Sequence, residues 1–261
     1  MYSQRYTQSQ VLYGLQVAWA NATGVDDPFD VDTQIYTYML ADGSWDEFDL
    51  ADIFQCIERF FNFTCGMDEW KEFFGFDVGK RDFEEWRRDV APKLTFGALA
   101  QFVADRAPVV ASFDPIPIVG CRCATAGVFI GIQRVAENEK AKGLRFAPST
   151  RIIDVMRGNE LDRFWTQLRW MTEHSLPELP RFWREATGLA GCGALSVGIG
   201  GMIASWTTAN LVWIVIAVLC SSVFYATAYV YKQTTNPLPL DIVTFRDLSE
   251  LIAASRATAP T

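Results

Sequence analysis

The feature that most constrains this chain is an apolar run from Leu189 to Tyr231. No Asp, Glu, Lys, Arg or His occurs between Glu185 and Lys232. About 20 residues at a rise of ~1.5 Å each cross a hydrocarbon core of ~30 Å. Leu189–Trp206 and Leu211–Tyr231 each have that length, and only Thr207, Thr208, Ala209 and Asn210 soften the middle. The run reads as a transmembrane helical hairpin over residues 189–231. The competing reading is a buried hairpin of a soluble protein, since the first half is rich in glycine.

Charge sets the expected orientation. Met1–Gln10 is polar and no apolar stretch follows it, so no signal peptide is read there and the hairpin is expected to be the insertion signal. Arg181 and Arg184 precede the hairpin, Lys232 follows it, and the turn carries no charge. The positive-inside rule then places both termini on the cytoplasmic side of a bacterial inner membrane. Under that topology the glycosylation-type triplets at Asn21 and Asn62 are chance matches.

The formal net charge is −8, which argues against nucleic acid as a partner. The acid is concentrated. Asp26–Glu72 holds 13 Asp or Glu against Arg59 and Lys71, whereas Ser112–Thr187 holds 11 Lys or Arg against 9 acids. An acidic lobe followed by a more basic, membrane-proximal lobe is expected.

Apolar spacing predicts an amphipathic helix over 6–22 and a second over Asp49–Phe61. A third, capped by Thr95, is predicted over Leu94–Ala104. Asp77–Lys93 reads as a charged excursion, and Ala107–Pro117 as a separator. The later chain repeats the earlier one. At an offset of 117 residues Gly14-Leu15-Gln16 matches Gly131-Ile132-Gln133, Phe29 matches Phe146, Thr33 matches Thr150 and Ile35 matches Ile152. Further on, Trp70-Lys71-Glu72 with Gly75 matches Trp183-Arg184-Glu185 with Gly188, and Leu94-Thr95-Phe96 matches Val243-Thr244-Phe245. The offset grows by 36 between these last two blocks, and the hairpin lies in that gap. The hairpin therefore looks inserted into a second copy, where the first copy carries Asp77–Lys93. The expected organisation is a helical domain over 1–110, a divergent copy over 111–188 with 237–261, and the hairpin at 189–231.

These blocks carry a resemblance. Val25-Asp26-Asp27-Pro28 with Asp32-Thr33, then Cys56-Ile57-Glu58 before Phe61, then Leu94-Thr95-Phe96-Gly97 through Phe102-Val103, together resemble the acyl carrier protein family. The likeness covers roughly Gln8–Ala107, with about twenty extra residues before the last helix. A fainter second pass covers Gly131–Gly188 plus Asp241–Ala254. It implies an all-α fold, small carrier-like domains plus the hairpin, and a second helix whose acids dock basic partners. It also implies a phosphopantetheine arm on a serine at the start of that helix. In the register set by Glu58 and Phe61 that position is Glu47, within Asp46-Glu47-Phe48. Ser44 lies three residues early, and Asn159-Glu160-Leu161-Asp162 in the second copy has no serine. The expectation is a degenerate, non-enzymatic carrier-like protein that needs no cofactor. Asp42, Asp46, Glu47, Asp49 and Asp52 would dock a protein partner with a basic surface. The alternative is a working membrane-tethered carrier modified at Ser44.

Other candidates are weaker. Adjacent acids such as Glu84-Glu85 point about 100° apart on a helix, and the single histidine, His174, permits no catalytic set. Cys121-Arg122-Cys123 has the look of half a metal site without a second half, so small packing residues are the simpler reading. Cys192, Ser196, Gly200 and Ala204 recur every four residues and suit close helix packing in lipid, against Leu211–Tyr231 or another copy. Arg163, Phe164, Trp165, Arg169, Trp170, Arg181, Phe182, Trp183 and Arg184 crowd the approach to the hairpin. They read either as interfacial anchors on anionic lipid or as the two faces of a packed helix.

Overall fold

The computed structural model describes residues 5–41, 50–76, 82–140, 144–208 and 212–258. It is mostly helical, and two of its helices are long and apolar enough to cross a membrane. The chain divides into Met1–Ser112 with Arg169–Ser175, and Phe113–Leu168 with Leu176–Thr261.

In the first unit α1 spans Gln8–Thr23. It opens on a capping box between Thr7 and Gln10 and stops at Gly24, whose φ of 75° suits a residue without Cβ. Val11, Leu15, Ala18 and Trp19 recur at helical spacing and are buried together. Next come α2 (Ile35–Ala41), α3 (Leu50–Phe61), α4 (Met67–Phe74), α5 (Phe83–Asp89) and α6 (Phe96–Ala104). The unit closes at one junction. Gln34 and Thr95 form an antiparallel bridge, Ile35 N–H donates to the Leu94 carbonyl at 2.9 Å, and Phe96 N–H donates to the Thr33 carbonyl at 3.0 Å. Phe96 then stacks on Phe29 with ring centroids 3.6 Å apart. Trp170, from the segment Arg169–Ser175, packs edge-on to Tyr6 at 4.9 Å.

One element departs from the sequence reading. Within the charged excursion, residues 77–81 lie outside the described residues, but 83–89 is a helix. Asp82 caps it, accepting from Glu85 N–H, and Trp86 is buried with its indole N–H donating to the Phe74 carbonyl at 2.7 Å. A single tryptophan fixes a helix that its charged neighbours disguise.

The second unit begins with a two-stranded hairpin, β1 (Ile116–Ile118) and β2 (Cys121–Cys123), which the sequence reading did not foresee. Its helices are α7 (Ala124–Glu139), α8 (Ile152–Val155), α9 (Gly158–Met171, of which the residues from Arg169 on belong to the first unit), α10 (Arg181–Thr208), α11 (Val212–Thr234) and α12 (Phe245–Thr258). Here α12 packs on α7, so chain beyond the hairpin returns to helices that precede it.

The junction is built again from the matching residues. Arg151 bridges Thr244, Ile152 N–H donates to the Val243 carbonyl at 3.1 Å, and Phe245 N–H donates to the Thr150 carbonyl at 3.1 Å. Phe245 stacks on Phe146 at 3.8 Å. Gln16 reaches the Phe29 carbonyl at 2.7 Å, and Gln133 reaches the Phe146 carbonyl at 3.1 Å. Thr95 caps α6 through Ala98 N–H, and Thr244 accepts from Asp247 N–H in the same position of α12. Val11, Leu15, Ile35 and Met39 are buried in the first unit, as Val128, Ile132, Ile152 and Met156 are in the second.

The apolar run forms α10 and α11, which pack along one another. It is not a buried hairpin within this chain. Leu195, Met202, Leu219 and Val223 are each more than 60 % exposed.

Candidate functional site

Five of the expected site residues cannot be placed. Asp42, Ser44, Asp46, Glu47 and Asp49 lie outside the described residues. Asp52 stands exposed in the first turn of α3.

The residues expected to pack α10 in lipid lie among the described residues, and beside them runs a second stripe that spacing alone did not select. Cys192, Ser196 and Gly200 are exposed, Ser196 donating to the Cys192 carbonyl at 2.9 Å, and Ala204 is half-buried. The side of α10 that meets α11 carries Ala190, Gly193, Ala194 and Gly201. Ala190 and Ala194 are buried, and a Cβ at Gly193 would touch the Phe224 ring at 3.7 Å. One at Gly201 would lie 2.5 Å from Ala217 Cβ. Ser221 donates to the Ala194 carbonyl at 3.1 Å across this contact. Two small-residue stripes run side by side on α10, so a period of four fits both. The choice between them is made by the Phe224 ring and by the close approach of Ala217 and the Trp213 backbone on the facing helix.

The approach to the hairpin resolves into two faces. Leu161, Phe164, Trp165, Leu168 and Trp183 are buried, with the Trp165 indole N–H donating to the Pro177 carbonyl at 2.8 Å. Arg181 and Phe182 are exposed, Arg181 pairing with Glu185 at 2.7 Å.

The chemically distinctive place is the foot of the hairpin. Lys232, the first charge after the apolar run, is only 4 % exposed. A buried ammonium is costly unless paired and hydrogen-bonded. Its Nζ donates to Asn159 Oδ1 at 3.0 Å and to Asp162 Oδ2 at 3.4 Å, and lies 5.1 Å from the centre of the Trp183 ring. Asn159 and Asp162 are three residues apart on α9 and so share a face. The approach is close. Gly158 has φ of 55°, and a Cβ there would sit 2.6 Å from Gln233 Nε2. Glycine at this point lets the start of α9 meet the end of α11.

Beside Lys232 lies a cavity of about 340 Å³, lined among others by Lys140, Arg157, Arg163 and Tyr229. The cations on its rim are held by exposed carboxylates. Lys140 pairs with Glu160 at 3.3 Å and Arg157 with Asp154 at 3.6 Å. Arg163 pairs with the better-buried Glu139 at 3.0 Å. The sequence reading missed this cluster because its members come from α7, the α8–α9 link, α9 and α11. Its only sequence signal was a lone lysine at the end of an apolar run, which reads as a charge that sets the hairpin's orientation.

Elsewhere the titrating groups do structural work. Burial, reinforced by the nearby Glu69 carboxylate, pushes the Cys65 thiol up to about 11, so it stays protonated at neutral pH. The Asp30 carboxyl is held below its ordinary value, first by the Thr33 hydroxyl and then by the backbone N–H groups of Asp32 and Thr33. Among the described residues, no group of three or more His, Cys, Asp or Glu gathers as metal ligands would. His174 lies against the Tyr13 ring at 4.2 Å.

This geometry defines a mostly helical chain with two membrane-capable helices and a paired, buried lysine at their foot. Compared with protein-family models, with curated proteins and with solved structures, the chain matches none of them.

Proposed function

We propose that this is a non-enzymatic, membrane-anchored protein of the bacterial inner membrane. Its two units are degenerate acyl-carrier-like domains on the cytoplasmic side, with both termini there. One observation carries the reading: the same closing junction is built twice, and only the second unit sends out an apolar hairpin. The second unit acts as the mount. At the start of α9, where the resemblance would place an arm-bearing serine, Asn159 and Asp162 are instead occupied with Lys232. The first unit is the working face. Its segment 42–52 carries Asp42, Asp46, Glu47, Asp49 and Asp52 with no Lys or Arg among them, and such a patch steers a basic protein partner.

The test is the intact mass and location of the full chain in its own host. An unmodified chain that stays in the membrane pellet after an alkaline wash is expected. With a reporter fused after Thr261, the tail is expected to report from the cytoplasmic side. A phosphopantetheine-sized gain on Ser44 would replace this reading with that of a working carrier. Release into the soluble fraction would end the anchoring part.

A further inference from the structure

We propose that the cavity at the foot of the hairpin binds the headgroup of an anionic phospholipid, its phosphate held among Lys140, Arg157, Arg163 and Lys232. The inference rests on the reading of α10 and α11 as membrane-spanning.

Depth is the first argument. Tyr229 and Lys232 both line the cavity, three residues apart on one face of α11. Tyr229 is 63 % exposed at the end of the lipid-length apolar run, whereas Lys232 is buried. The opening therefore spans the level where the hydrocarbon core ends and headgroup phosphates begin. A lipid beside α11 has its acyl chains along the exposed Tyr225 and Tyr229 and its phosphate at the cavity mouth.

Charge is the second. Four cations line the space with Asp154 and Glu160, while Glu139 and Asp162, which pair with Arg163 and Lys232, stand outside its lining. The cations converge from four segments of the second unit, which a solvated face of one helix does not do. The Arg157–Asp154 and Lys140–Glu160 pairs are between 38 and 55 % exposed on each side. Exposed pairs of this kind hold weakly, while a phosphate offers arginine charge-assisted, two-pronged bonds. A bound phosphate thus gains more than the carboxylates lose. A zwitterionic lipid would also bring an ammonium among these cations, so the anionic headgroup is preferred.

Size is the third. About 340 Å³ is within the range of small-ligand pockets and accommodates a phosphoglycerol group.

The experiment uses the full chain reconstituted in nanodiscs of phosphatidylcholine, with or without a minority of phosphatidylglycerol, and native mass spectrometry of the lipid retained. Selective retention of phosphatidylglycerol is expected. K140Q/R157Q, which removes two exposed charges, should lower that retention roughly tenfold or more, at ~1 kcal/mol per cation near the surface. R181Q/R184Q, outside the cavity, should leave it unchanged. Equal retention of the two lipids, or full retention by K140Q/R157Q, would overturn the site. Inorganic phosphate binding to the chain in phosphatidylcholine discs as firmly as the lipid would overturn the lipid as its source. A chain that never enters phosphatidylcholine discs would remove the membrane reading, and this site with it. Entry followed by unselective retention would remove the site alone.

Discussion

In the first unit α4 stops at Gly75, where φ turns to 66° and the Phe76 N–H folds back to the Lys71 carbonyl at 2.8 Å. In the second, the matching Gly188 lies inside α10, which runs on to Thr208. The roots of the two helices are alike: Trp70 and Trp183 are each 1 % exposed. What differs is the exit. One helix ends in a left-handed glycine cap, and α5 then leads to the closing junction at Thr95. The other has no stop there and continues in residues that only α11 covers, on one side, with Leu195 and Met202 left exposed. A helix long and apolar enough to cross a membrane can thus share the buried root of a short packed helix. The closing junction, Gln34 with Thr95 and Arg151 with Thr244, is the same in both units although the hairpin precedes it in the second, because its hydrogen bonds depend only on where the chain returns.

If the two junctions are equivalent, their central rings should carry equal weight. Phe96 and Phe245 are both 0 % exposed and stacked on Phe29 and Phe146. Phe96→Ala and Phe245→Ala should each cost about 3–5 kcal/mol in their own unit, through lost burial and the cavity left behind. Hydrogen exchange of the full chain reads this out, at the amides of Ile35 and Ile152. Each substitution should release its own junction amide and spare the other. A junction that keeps its protection after losing its phenylalanine would break the equivalence.

Much of this was legible in the sequence, for identifiable reasons. The hairpin was plain because forty-odd uncharged residues have few alternatives. The junction was legible because its residues recur as short identities: Phe29 and Phe146, Thr33 and Thr150, Thr95 and Thr244. Helix α5 was hidden because one buried tryptophan outweighs five charged neighbours, and a window average weighs them the other way. β1 and β2 are too short for any periodicity. The lysine cluster was hidden for another reason. Its residues meet only where the end of α11 comes against the start of α9, and no spacing in one segment encodes that meeting.

The two exit glycines sharpen the comparison, because the same substitution should move them in opposite directions. At Gly75 a Cβ is strained by the positive φ and would lie 2.8 Å from Val90 Cγ1. Gly75→Ala should cost about 1–3 kcal/mol, with α4 and α5 both losing exchange protection. At Gly188 the helix is regular and nothing lies within 4 Å of the added atom. Gly188→Ala should stabilise the root of α10 by about 0.5–1 kcal/mol. A loss at both positions would mean that α10 bends or frays at Gly188, and that the hairpin is hinged on its mount.

The smallest expected effect separates the two junctions by acid. Asp30 ties the first through the Thr33 hydroxyl and backbone; the matching residue in the second unit is Ala147. In the second, Asp247 accepts from the Thr244 and Val243 N–H groups; the matching residue in the first is Ala98. Both carboxyls are held below the unfolded value of 3.8, Asp30 chiefly by the Thr33 side chain and Asp247 chiefly by the Thr244 backbone. A carboxyl lowered on folding contributes stability that is fully present above the unfolded value and lost as pH falls through the folded one. Both junctions should therefore hold at neutral pH and loosen below about pH 4, each through a different residue. Asp30→Ala should abolish the acid response of the Ile35 amide and leave that of Ile152; Asp247→Ala should do the reverse, once intrinsic exchange rates are divided out. If Asp30→Ala leaves the first junction as acid-sensitive as before, the carboxylate that matters there lies elsewhere, and the two units share their geometry without sharing this way of fastening it.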